Sequence, residues 1–477
     1  LWIAAAALAA AVACAVNPVT GEREFMLISE SREIEMGREY DQQIVAQMGL
    51  YPDSALQRHV HRLGTRLAAN SERPELPWTF RVIDDPIVNA FALPGGFIYI
   101  TRGILAHMNS EAELAAVLGH EIGHVTARHS ASQMSQAMLA QVGLAATVAF
   151  VPGAEDFAGV ANVGLGLLMM KYGRDDERQS DALGLRYMHA AGYDAREMPA
   201  VFEMLGRVTE AAGGSGVPSW LSTHPAPEDR RERIAAQLEQ LPPSTTGGEP
   251  IVDREGYLRR LDTITFGPDP RQGFFRDATF LHPDMRFRLV FPEEWATQNT
   301  AAAVMAGSPQ EDAVFQLTLA ESKDARTAAR TFVEESGVSA SMPVERGING
   351  LRALTFGFVA EQDDDSSLEG AAAFIEHDGR VFRLLGYSPR ARWPDYNPAF
   401  ERTMGSFDVL DDPEVLNVQP WRVDILELDR ATTLAQLASD PDVPVDADVL
   451  ALINGVEPTA QVPAGRLVKR VVGEPRS

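Results

Sequence analysis

Hydrophobic residues recur every three or four positions through residues 31–70, with an interruption near Pro52, and this spacing predicts two amphipathic helices. The pattern then changes to short β-rich runs, LPWTFRVIDD and NAFALPGGFIYIT, which predict two or three strands with a turn at 94–96. Acidic residues that suit the positive end of a helix predict that a long helix begins near Asn109 or Ser110. We expect that helix to contain the whole stretch AVLGHEIGHVTARH, residues 116–129.

The second half of the chain follows a different pattern. The segment PPSTTGGEP is the clearest linker, and the runs beyond it predict the strands of a separate domain, with a hairpin that turns at Asp378-Gly379. Towards the end, TTLAQLAS, VLALINGV and PAGRLVKRV suggest a small module of helices and strands. We therefore predict an α+β multidomain protein with a signal segment at 1–14, a mainly α-helical domain with a small β-sheet at 15–241, a linker at 242–250, an α+β domain at 251–412 and a small module at 413–477.

Composition and charge exclude some partners. The 477 residues exceed what one hydrophobic core usually organises, and a composition of 45% hydrophobic and 23% charged residues is ordinary for a globular protein. The net charge of −25 repels phosphate backbones, so no nucleic-acid partner is expected. The same charge would repel an anionic lipid surface, so any attachment to a membrane requires something other than charge.

The start of the chain offers such an attachment. Leu1 to Ala13 form a short apolar run like that of a bacterial secretory signal, and the small residues before Cys14, the only cysteine, resemble a lipobox whose cysteine is lipidated after cleavage. The alternative is a plain signal peptide with an incidental cysteine. The best internal candidate for a membrane span, residues 137–157, is broken at Pro152, so we expect a lipid anchor to be the only membrane attachment.

The motif HEIGH, from His120 to His124, could bind a metal ion. Residues four apart in a helix differ by about 40° around the axis, so His120 and His124 project from one face and can share a cation. Glu121 lies about 100° away, where it can reach a water molecule on the metal rather than the metal itself. Because HExxH arises by chance in on the order of 1% of chains of this composition, the motif needs a third ligand.

The residues that follow directly do not supply that ligand. The pattern HExxHxxGxxH would require glycine at position 127 and histidine at position 130, where the chain has Ala127 and Ser130. His129 is rotated by about 140° from His124 on a straight helix, which favours a surface position or a role behind the ligands over ligation.

A later segment, YGRDDERQSDALGLRYM, offers carboxylates for the same site. Glu177 can complete a set of two histidines and one glutamate, leaving the fourth position for water, as catalytic zinc requires. Asp181, one turn further on, is placed to accept the other N–H of a ligating histidine and to fix its tautomer. Without the upstream motif, both acids would be better explained as a solvated face paired with Arg174 and Arg178.

Four motifs in order resemble a known family. HEIGHVTARH and RDDERQSDALG are similar to motifs of the gluzincin metallopeptidases of the CAAX prenyl endopeptidase, HtpX and BepA type, and NAFALPGGFIYITRGIL and STHPAPEDRRERI match further motifs of that family. The resemblance covers residues 17–241, and it departs from the family at Ser180, where alanine is usual. It implies a zincin catalytic domain in this part of the chain.

The resemblance also implies roles for individual residues. The implied ligands of one zinc ion are His120, His124 and Glu177. Glu121 would be the general base, and His224 and Arg230, spaced as in the HPxxxxR element of the family, are the candidates for stabilising the tetrahedral oxygen. In BepA-type relatives the matching histidine can instead reach the zinc and occupy the open position, so both roles stay open for His224.

Two further segments resemble parts that bind other molecules. The strand NAFALPGG is similar to the substrate-binding edge of the family, which makes Asn89, Ala90, Phe91 and Ala92 candidate contacts for an extended peptide. On the residues alone, an ordinary core strand is as good an explanation. The C-terminal tail, with TTLAQLA, LINGV and VPAGRLV in order, resembles a degenerate LysM module, and this resemblance implies contact with peptidoglycan.

Together, the residues and the resemblance imply an exported zinc metalloendopeptidase of the bacterial periplasm, anchored to the outer membrane as a lipoprotein. Its expected substrates are unfolded or misassembled envelope proteins. One alternative is a chaperone-like protein that binds clients while His224 plugs its zinc site. Another is a wall-associated scaffold that uses the LysM-like tail.

Overall fold

The computed structural model describes residues 14–148, 171–211, 220–225, 229–242, 248–362 and 366–473. The predicted signal segment before Cys14 and part of the apolar segment 137–157 lie outside them. The chain forms two compact units, the first comprising Leu1–Val45, Gly49–Pro268 and Trp421–Ser477, and the second comprising Asp269–Pro420 together with Ala46–Met48. The prediction of a mixed helix-and-sheet, multidomain fold is confirmed.

Helices in the described residues range from single turns to five turns. They are α1 (Glu30–Met48), α2 (Ser54–Ala68), α3 (Arg102–His107), α4 (Glu111–Thr126), α5 (His129–Val148), α6 (Arg174–Ala190), α7 (Met198–Ala211), α8 (Trp220–Thr223), α9 (Arg230–Gln240), α10 (Arg254–Arg260), α11 (Ala325–Ser336), α12 (Trp393–Gly405), α13 (Pro413–Leu416), α14 (Leu434–Leu437) and α15 (Ala447–Asn454). Within these same ranges, no helix combines the length and the apolar character that a membrane span needs.

Strands occur in both units. They are β1 (Cys14–Val16), β2 (Arg23–Phe25), β3 (Thr79–Ile83), β4 (Ala90–Leu93), β5 (Phe97–Thr101), β6 (Phe274–Arg276), β7 (Thr279–His282), β8 (Phe287–Val290), β9 (Ala296–Asn299), β10 (Ala303–Gly307), β11 (Val314–Ala320), β12 (Ser339–Ala340), β13 (Val344–Ile348), β14 (Leu351–Glu361), β15 (Ser367–His377), β16 (Arg380–Pro389), β17 (Asp408–Val409), β18 (Arg422–Glu427) and β19 (Leu467–Val472). In the first unit, β5 lies between β3, which is parallel to it, and β4, which is antiparallel. Among the described residues β4 is therefore an edge strand.

The helix α4 is the centre of the first unit. Ser110 caps it by accepting a hydrogen bond from the Glu113 backbone N–H at 3.1 Å, and the Glu113 carboxylate accepts one from the Asn109 N–H at 2.6 Å. The first bond satisfies a donor that the first turn of a helix leaves free, and the second ties the residue before the cap to that turn. Apolar and small residues of this helix lie on all of its faces, and nearly all of the helix is buried.

Small residues let α4 and α6 approach each other closely. A Cβ atom at Gly119 would lie 3.2 Å from the Cα of Gly184, and a Cβ atom at Gly123 would lie 3.0 Å from the Cα of Ser180. Serine at position 180 keeps this approach possible because it is nearly as small as the alanine that is usual in the resembling family. The two helix backbones therefore come near enough for the side chains of HEIGH to meet those of the later acidic segment.

The predicted continuous helix over residues 116–129 is wrong at its end. The helix α4 stops at Thr126, and Arg128 has a left-handed backbone with φ of 63° before α5 begins at His129. A non-glycine residue rarely adopts this conformation without support. Here Glu33 accepts a hydrogen bond from Arg128 Nε at 2.6 Å, and the Ile28 carbonyl accepts another from the same guanidinium at 2.6 Å.

The second unit is built on antiparallel sheets. The larger sheet has the order β12-β14-β15-β16-β11-β10-β9, with β13 also paired with β14, and a four-stranded sheet has the order β17-β8-β7-β6. The hairpin of β15 and β16 turns at Asp378 and Gly379, as predicted, with φ of 47° and 71°. Both values lie in the left-handed region that a tight two-residue hairpin turn requires.

The C-terminal residues belong to the first unit. Two antiparallel strands, β18 and β19, enclose α14 and α15 in the chain order strand, helix, helix, strand. The fully buried Lys469 of β19 donates hydrogen bonds to the Ala106 carbonyl at 2.8 Å and the Met108 carbonyl at 2.7 Å. In α10, Tyr257 donates one to the Leu105 carbonyl at 2.8 Å. The unit thus includes residues on both sides of 269–420, whereas the sequence-based division groups them with an accessory domain and a separate module.

Candidate metal centre

Four buried side chains from separate parts of the first unit converge on one point. His120 and His124 come from α4, Glu177 from α6 and His224 from the end of α8. The nearest pairs of donor atoms are 3.0 Å apart for the two Nε2 atoms of His120 and His124, 3.3 Å for His124 Nε2 and Glu177 Oε1, and 3.0 Å for Glu177 Oε1 and His224 Nδ1. Each of the four residues is at most 1% exposed.

The ligand-like histidine His120 has a charged partner behind it. Its Nδ1 lies 2.9 Å from Asp181 Oδ1. Arg230 in turn donates two hydrogen bonds to Asp181, at 2.6 and 2.8 Å, and its NH2 group lies 3.5 Å from Glu177 Oε2. The guanidinium also lies 3.7 Å from the ring centre of Phe202. The structure thus brings Asp181 and Arg230 together as predicted neighbours of the site, with Arg230 directed at the two carboxylates.

Glu121 is oriented by a residue that the sequence analysis did not select. Trp220 Nε1 donates a hydrogen bond to Glu121 Oε1 at 3.0 Å. The other oxygen, Oε2, is buried and has no hydrogen-bond partner among the described residues. One oxygen is thus held while the other is available to a substrate or water proton. The spacing of Trp220 and His224 in WLSTHP, four apart, is the sequence signal that could have identified Trp220.

His224 is enclosed by aromatic and acidic groups. Its ring stacks on Trp220 with 4.4 Å between ring centres and 13° between the planes, and its Nε2 lies 3.6 Å from Glu121 Oε1. Burial opposes protonation, but the carboxylates of Glu121 and Glu177 outweigh it and raise the pKa of His224. The pKa of Glu177 is lowered, because the His224 charge and hydrogen bonds from His124 and His224 outweigh its own burial.

Two more residues contact His124: Tyr172, which the sequence analysis does not name, and His129, for which it favours a surface position or a role behind the ligands. Tyr172 stacks on the His124 ring at 3.8 Å between centres and an angle of 25°. His129 lies behind the same ring, with its Nδ1 2.9 Å from His124 Nδ1. A position behind the ligand-like histidines is one of the two that the sequence favours for His129. A straight helix would not place its ring against His124, and the contact forms because α4 ends at Thr126.

The residues predicted for peptide binding lie on one edge of the small sheet. Ala90, Phe91 and Ala92 belong to β4, and Asn89 precedes it. Asn89 Oδ1 is buried and has no hydrogen-bond partner among the residues that the structure describes. The strand packs against α4, the helix that carries the two histidines. Cys14 begins β1, and its lipidation stays a prediction.

The donor set fits a metal ion. His120, His124, Glu177 and His224 each offer one ligand atom, and these atoms lie within 4.8 Å of one another. Imidazole nitrogen and carboxylate oxygen are the ligands that transition-metal sites of hydrolases use. Uncompensated, such a cluster of buried polar groups would be costly, and a shared cation offsets that cost.

These residues define the class of protein. Two histidines of one helix, a glutamate from a second helix and a nearby carboxylate with one unpartnered oxygen are the arrangement found in metal-dependent peptidases. Residues 54–238, less than half of the chain, match the model of Peptidase family M48. A family of metallopeptidases implies a metal cofactor for the buried cluster.

Curated relatives are similar to this chain over part of their length. The beta-barrel assembly-enhancing protease of Escherichia coli (strain K12) is 29% identical over 256 residues, which are 52% of this chain and 51% of that protein. The mitochondrial metalloendopeptidase OMA1 of Schizosaccharomyces pombe is 32% identical over 231 residues, 47% of this chain and 66% of that protein. OMA1 of Arabidopsis thaliana is 36% identical over 169 residues, 35% of this chain and 33% of that protein.

The chain thus spans between a third and two thirds of the length of these relatives. Solved structures resemble only short parts of it. The solution structure of cyanobacterial PsbP from Synechocystis, for example, covers 28% of this chain at 14% identity. Its TM-score of 0.24 is too low to show a shared fold.

Proposed function

We propose that the chain is a zinc-dependent metalloendopeptidase that hydrolyses unfolded or misassembled proteins of the cell envelope. The observation that supports this function best is the buried cluster of His120, His124 and Glu177 beside a carboxylate, Glu121, that has one free oxygen. A purely structural cluster would not need a second acid with an unpartnered oxygen at the same place.

One zinc ion is the proposed cofactor. Ligand atoms of a tetrahedral zinc ion, each about 2.0–2.2 Å from it, lie roughly 3.3–3.6 Å from one another. The nearest donor pairs here are separated by 3.0 to 3.6 Å. Two imidazoles and one carboxylate are also the ligand set of known catalytic zinc sites, which leave the fourth position open.

The chemistry follows from the positions of the side chains. A zinc ion bound here would lower the pKa of a water molecule to about 7 and polarise the scissile carbonyl. Glu121 would act as the general base through Oε2, because Trp220 holds Oε1, and it would return the proton that it accepts from the attacking water to the leaving amine. Arg230 keeps Asp181 in place, and Asp181 in turn keeps the Nε2 atom of His120 directed at the metal.

His224 is proposed to act as a plug in the conformation described. Its Nδ1 lies 3.3 Å from His120 Nε2 and 3.0 Å from Glu177 Oε1, so it is a fourth donor of the cluster rather than a group beside it. A site with four protein ligands is closed to water. Cleavage therefore requires His224 to leave, after which it can stabilise the tetrahedral oxygen.

The proposed substrates enter along β4. An extended polypeptide can pair with the free edge at Asn89, Ala90, Phe91 and Ala92, and pairing through backbone atoms selects unfolded segments rather than particular sequences. The names of the bacterial relatives, beta-barrel assembly-enhancing proteases, support clients of the envelope.

We place the protein in the periplasm, anchored to the outer membrane through lipidated Cys14. The strand-helix-helix-strand tail is a candidate LysM-like contact to peptidoglycan.

Cleavage of unfolded casein tests the proposal. Full-length protein and the variants Glu121→Gln, His224→Ala and Glu111→Gln are compared, with zinc content measured for each. Glu111 lies on the same helix but outside the cluster, which makes it the control for changing an acid of α4.

We expect Glu121→Gln to keep its zinc and to lose at least a hundredfold in cleavage rate, because general acid–base catalysis contributes about 10²–10⁴-fold. His224→Ala is expected to cleave faster than wild type. Zinc in every variant without cleavage by any of them would instead support the chaperone-like alternative, in which His224 stays in the site while clients are held.

A further inference from the structure

His129 lies behind the second histidine of the cluster in a buried chain of hydrogen bonds. Its Nδ1 is 2.9 Å from His124 Nδ1, and its Nε2 is 2.9 Å from Gln179 Oε1. The residue is 4% exposed. We propose that His129 is a positioning residue that accepts the Nδ1 proton of His124 and thereby fixes the tautomer in which His124 Nε2 can bind metal.

The partners of His129 determine which of its nitrogens carries the proton. Gln179 presents a carbonyl oxygen to Nε2, and the carboxylate of Asp176 lies 3.6 Å from the same nitrogen. Both groups favour a proton on Nε2 of His129. Neutral imidazole has one N–H, so Nδ1 of His129 must then be an acceptor, and the proton between the two rings belongs to His124. His124 Nε2 is left with a lone pair directed at the cluster.

The two ligand-like histidines of α4 are thus held by different means. His120 donates to a carboxylate, Asp181, whose position is fixed by Arg230. His124 donates to a second imidazole, which carries no formal charge and is itself fixed by Gln179. Such outer partners orient a metal ligand and raise its basicity, and their loss typically weakens metal binding by about 10–100-fold.

The turn between α4 and α5 is what places His129 there. A straight helix would rotate it away from His124, but Arg128 at φ 63° redirects the chain so that α5 begins with His129 facing the ring. Glu33 holds this turn from both sides, through Arg128 at 2.6 Å and through Arg73 at 2.7 Å. Arg73 also donates to the Val125 carbonyl at 2.9 Å, at the end of α4.

Zinc affinity of the full-length protein tests this inference, which rests on the proposed metal centre. Apoprotein of wild type, His129→Phe and His129→Asn is titrated with zinc against a competing chelator, and the visible absorption of the cobalt-substituted forms is recorded. Asparagine places a carbonyl oxygen close to where His129 has Nδ1, so it can still accept from His124, whereas phenylalanine fills the space without an acceptor.

We expect His129→Phe to bind zinc about 10–100-fold more weakly and to change the cobalt spectrum, while His129→Asn stays within about threefold of wild type. His107→Phe is the matched control, because His107 is a buried histidine of the same unit whose Nδ1 contacts the Gly103 carbonyl at 2.7 Å, away from the cluster. This control is expected to lower the melting temperature of the apoprotein without changing zinc affinity.

The outcomes separate the inference from the metal centre itself. Zinc bound equally by wild type and His129→Phe would overturn the role of His129 alone. Equal weakening in the phenylalanine and asparagine variants would also overturn it, because the acceptor would then be irrelevant and only packing would matter. A wild-type chain that binds no zinc would overturn the metal centre first.

Discussion

Trp220 connects two functional groups at the scale of single residues. Its indole stacks on His224, and its N–H holds one oxygen of Glu121 at 3.0 Å. The proposed plug and the proposed general base therefore share one contact residue. The sequence motif identifies Glu121 and His224 but not this coupling, because Trp220 meets Glu121 from a segment 99 residues further along the chain.

Replacing Trp220 by phenylalanine should separate these two contacts. The Trp220→Phe variant keeps an aromatic ring against His224 but loses the hydrogen bond to Glu121. A hydrogen bond to a charged group contributes about 1.5–3 kcal/mol, so we expect kcat to fall by about 10–100-fold with zinc content unchanged.

Trp78→Phe is the matched control for that variant. Trp78 is also a buried tryptophan of the first unit, and its N–H donates to the Arg73 carbonyl at 3.0 Å, outside the site. Equal kcat in wild type and Trp220→Phe would show that the indole does not orient Glu121.

At the scale of elements, the crossing of α4 and α6 determines whether the ligands can meet. The sequence pattern predicts both helices and the start of α4 at Ser110, because capping and periodicity are local properties. It does not predict the end of α4, which depends on Glu33 contacting Arg128 from 95 residues away. The glycines of the crossing are visible in the sequence, but only the structure shows that they face each other.

Adding a methyl group at the crossing should weaken the metal site without replacing any of its ligand side chains. A Cβ atom at Gly184 would lie 3.0 Å from the His120 backbone nitrogen, so Gly184→Ala must push the helices apart. We expect overpacking to lower the stability by about 1–3 kcal/mol and to reduce zinc affinity, measured by thermal unfolding with and without zinc.

Gly206→Ala provides the comparison for that substitution. Gly206 lies within α7, and a Cβ atom there would have no neighbour within 4 Å. Alanine should therefore stabilise the helix by up to about 1 kcal/mol and leave zinc affinity unchanged. A Gly184→Ala protein as stable and as tight for zinc as wild type would contradict the importance of the close crossing.

At the scale of the whole chain, the first unit contains segments that the sequence suggests are separate. Residues 242–250 have the composition of a linker, and the sequence pattern changes after them. The first compact unit nevertheless continues past these residues to Pro268. Lys469 reaches carbonyl groups 361 and 363 residues earlier, and no local pattern can predict such a contact. The tail is thus part of the core that supports α3 and α4.

Lys469 should make the stability of this unit increase with pH in the alkaline range. Burial lowers the pKa of Lys469 to about 7, although the charge of Glu113 opposes the shift, whereas a lysine in the unfolded chain has a pKa of about 10.4. Between these values the unfolded chain binds more protons, so stability rises with pH from about 7 to 10, by as much as about 4 kcal/mol. Below pH 7 both states are protonated, and this contribution is absent.

Urea unfolding of wild type and Lys469→Met at pH 7 and pH 9.5 measures that contribution. We expect Lys469→Met to lose the pH-dependent rise and to be less stable at both values, because two buried carbonyl groups lose their donor. Lys323→Met, at an exposed lysine, should keep the rise. Parallel pH dependence in wild type and Lys469→Met would contradict the buried role of this lysine.

X-ray absorption at the zinc edge of wild type and His224→Ala, with metal content determined for both, tests directly whether His224 closes a zinc site. We expect one zinc ion per chain in each protein, with three imidazole ligands and one carboxylate in wild type and one imidazole fewer in His224→Ala. An absence of zinc, or the same number of imidazole ligands in both proteins, would contradict a metal centre that His224 closes.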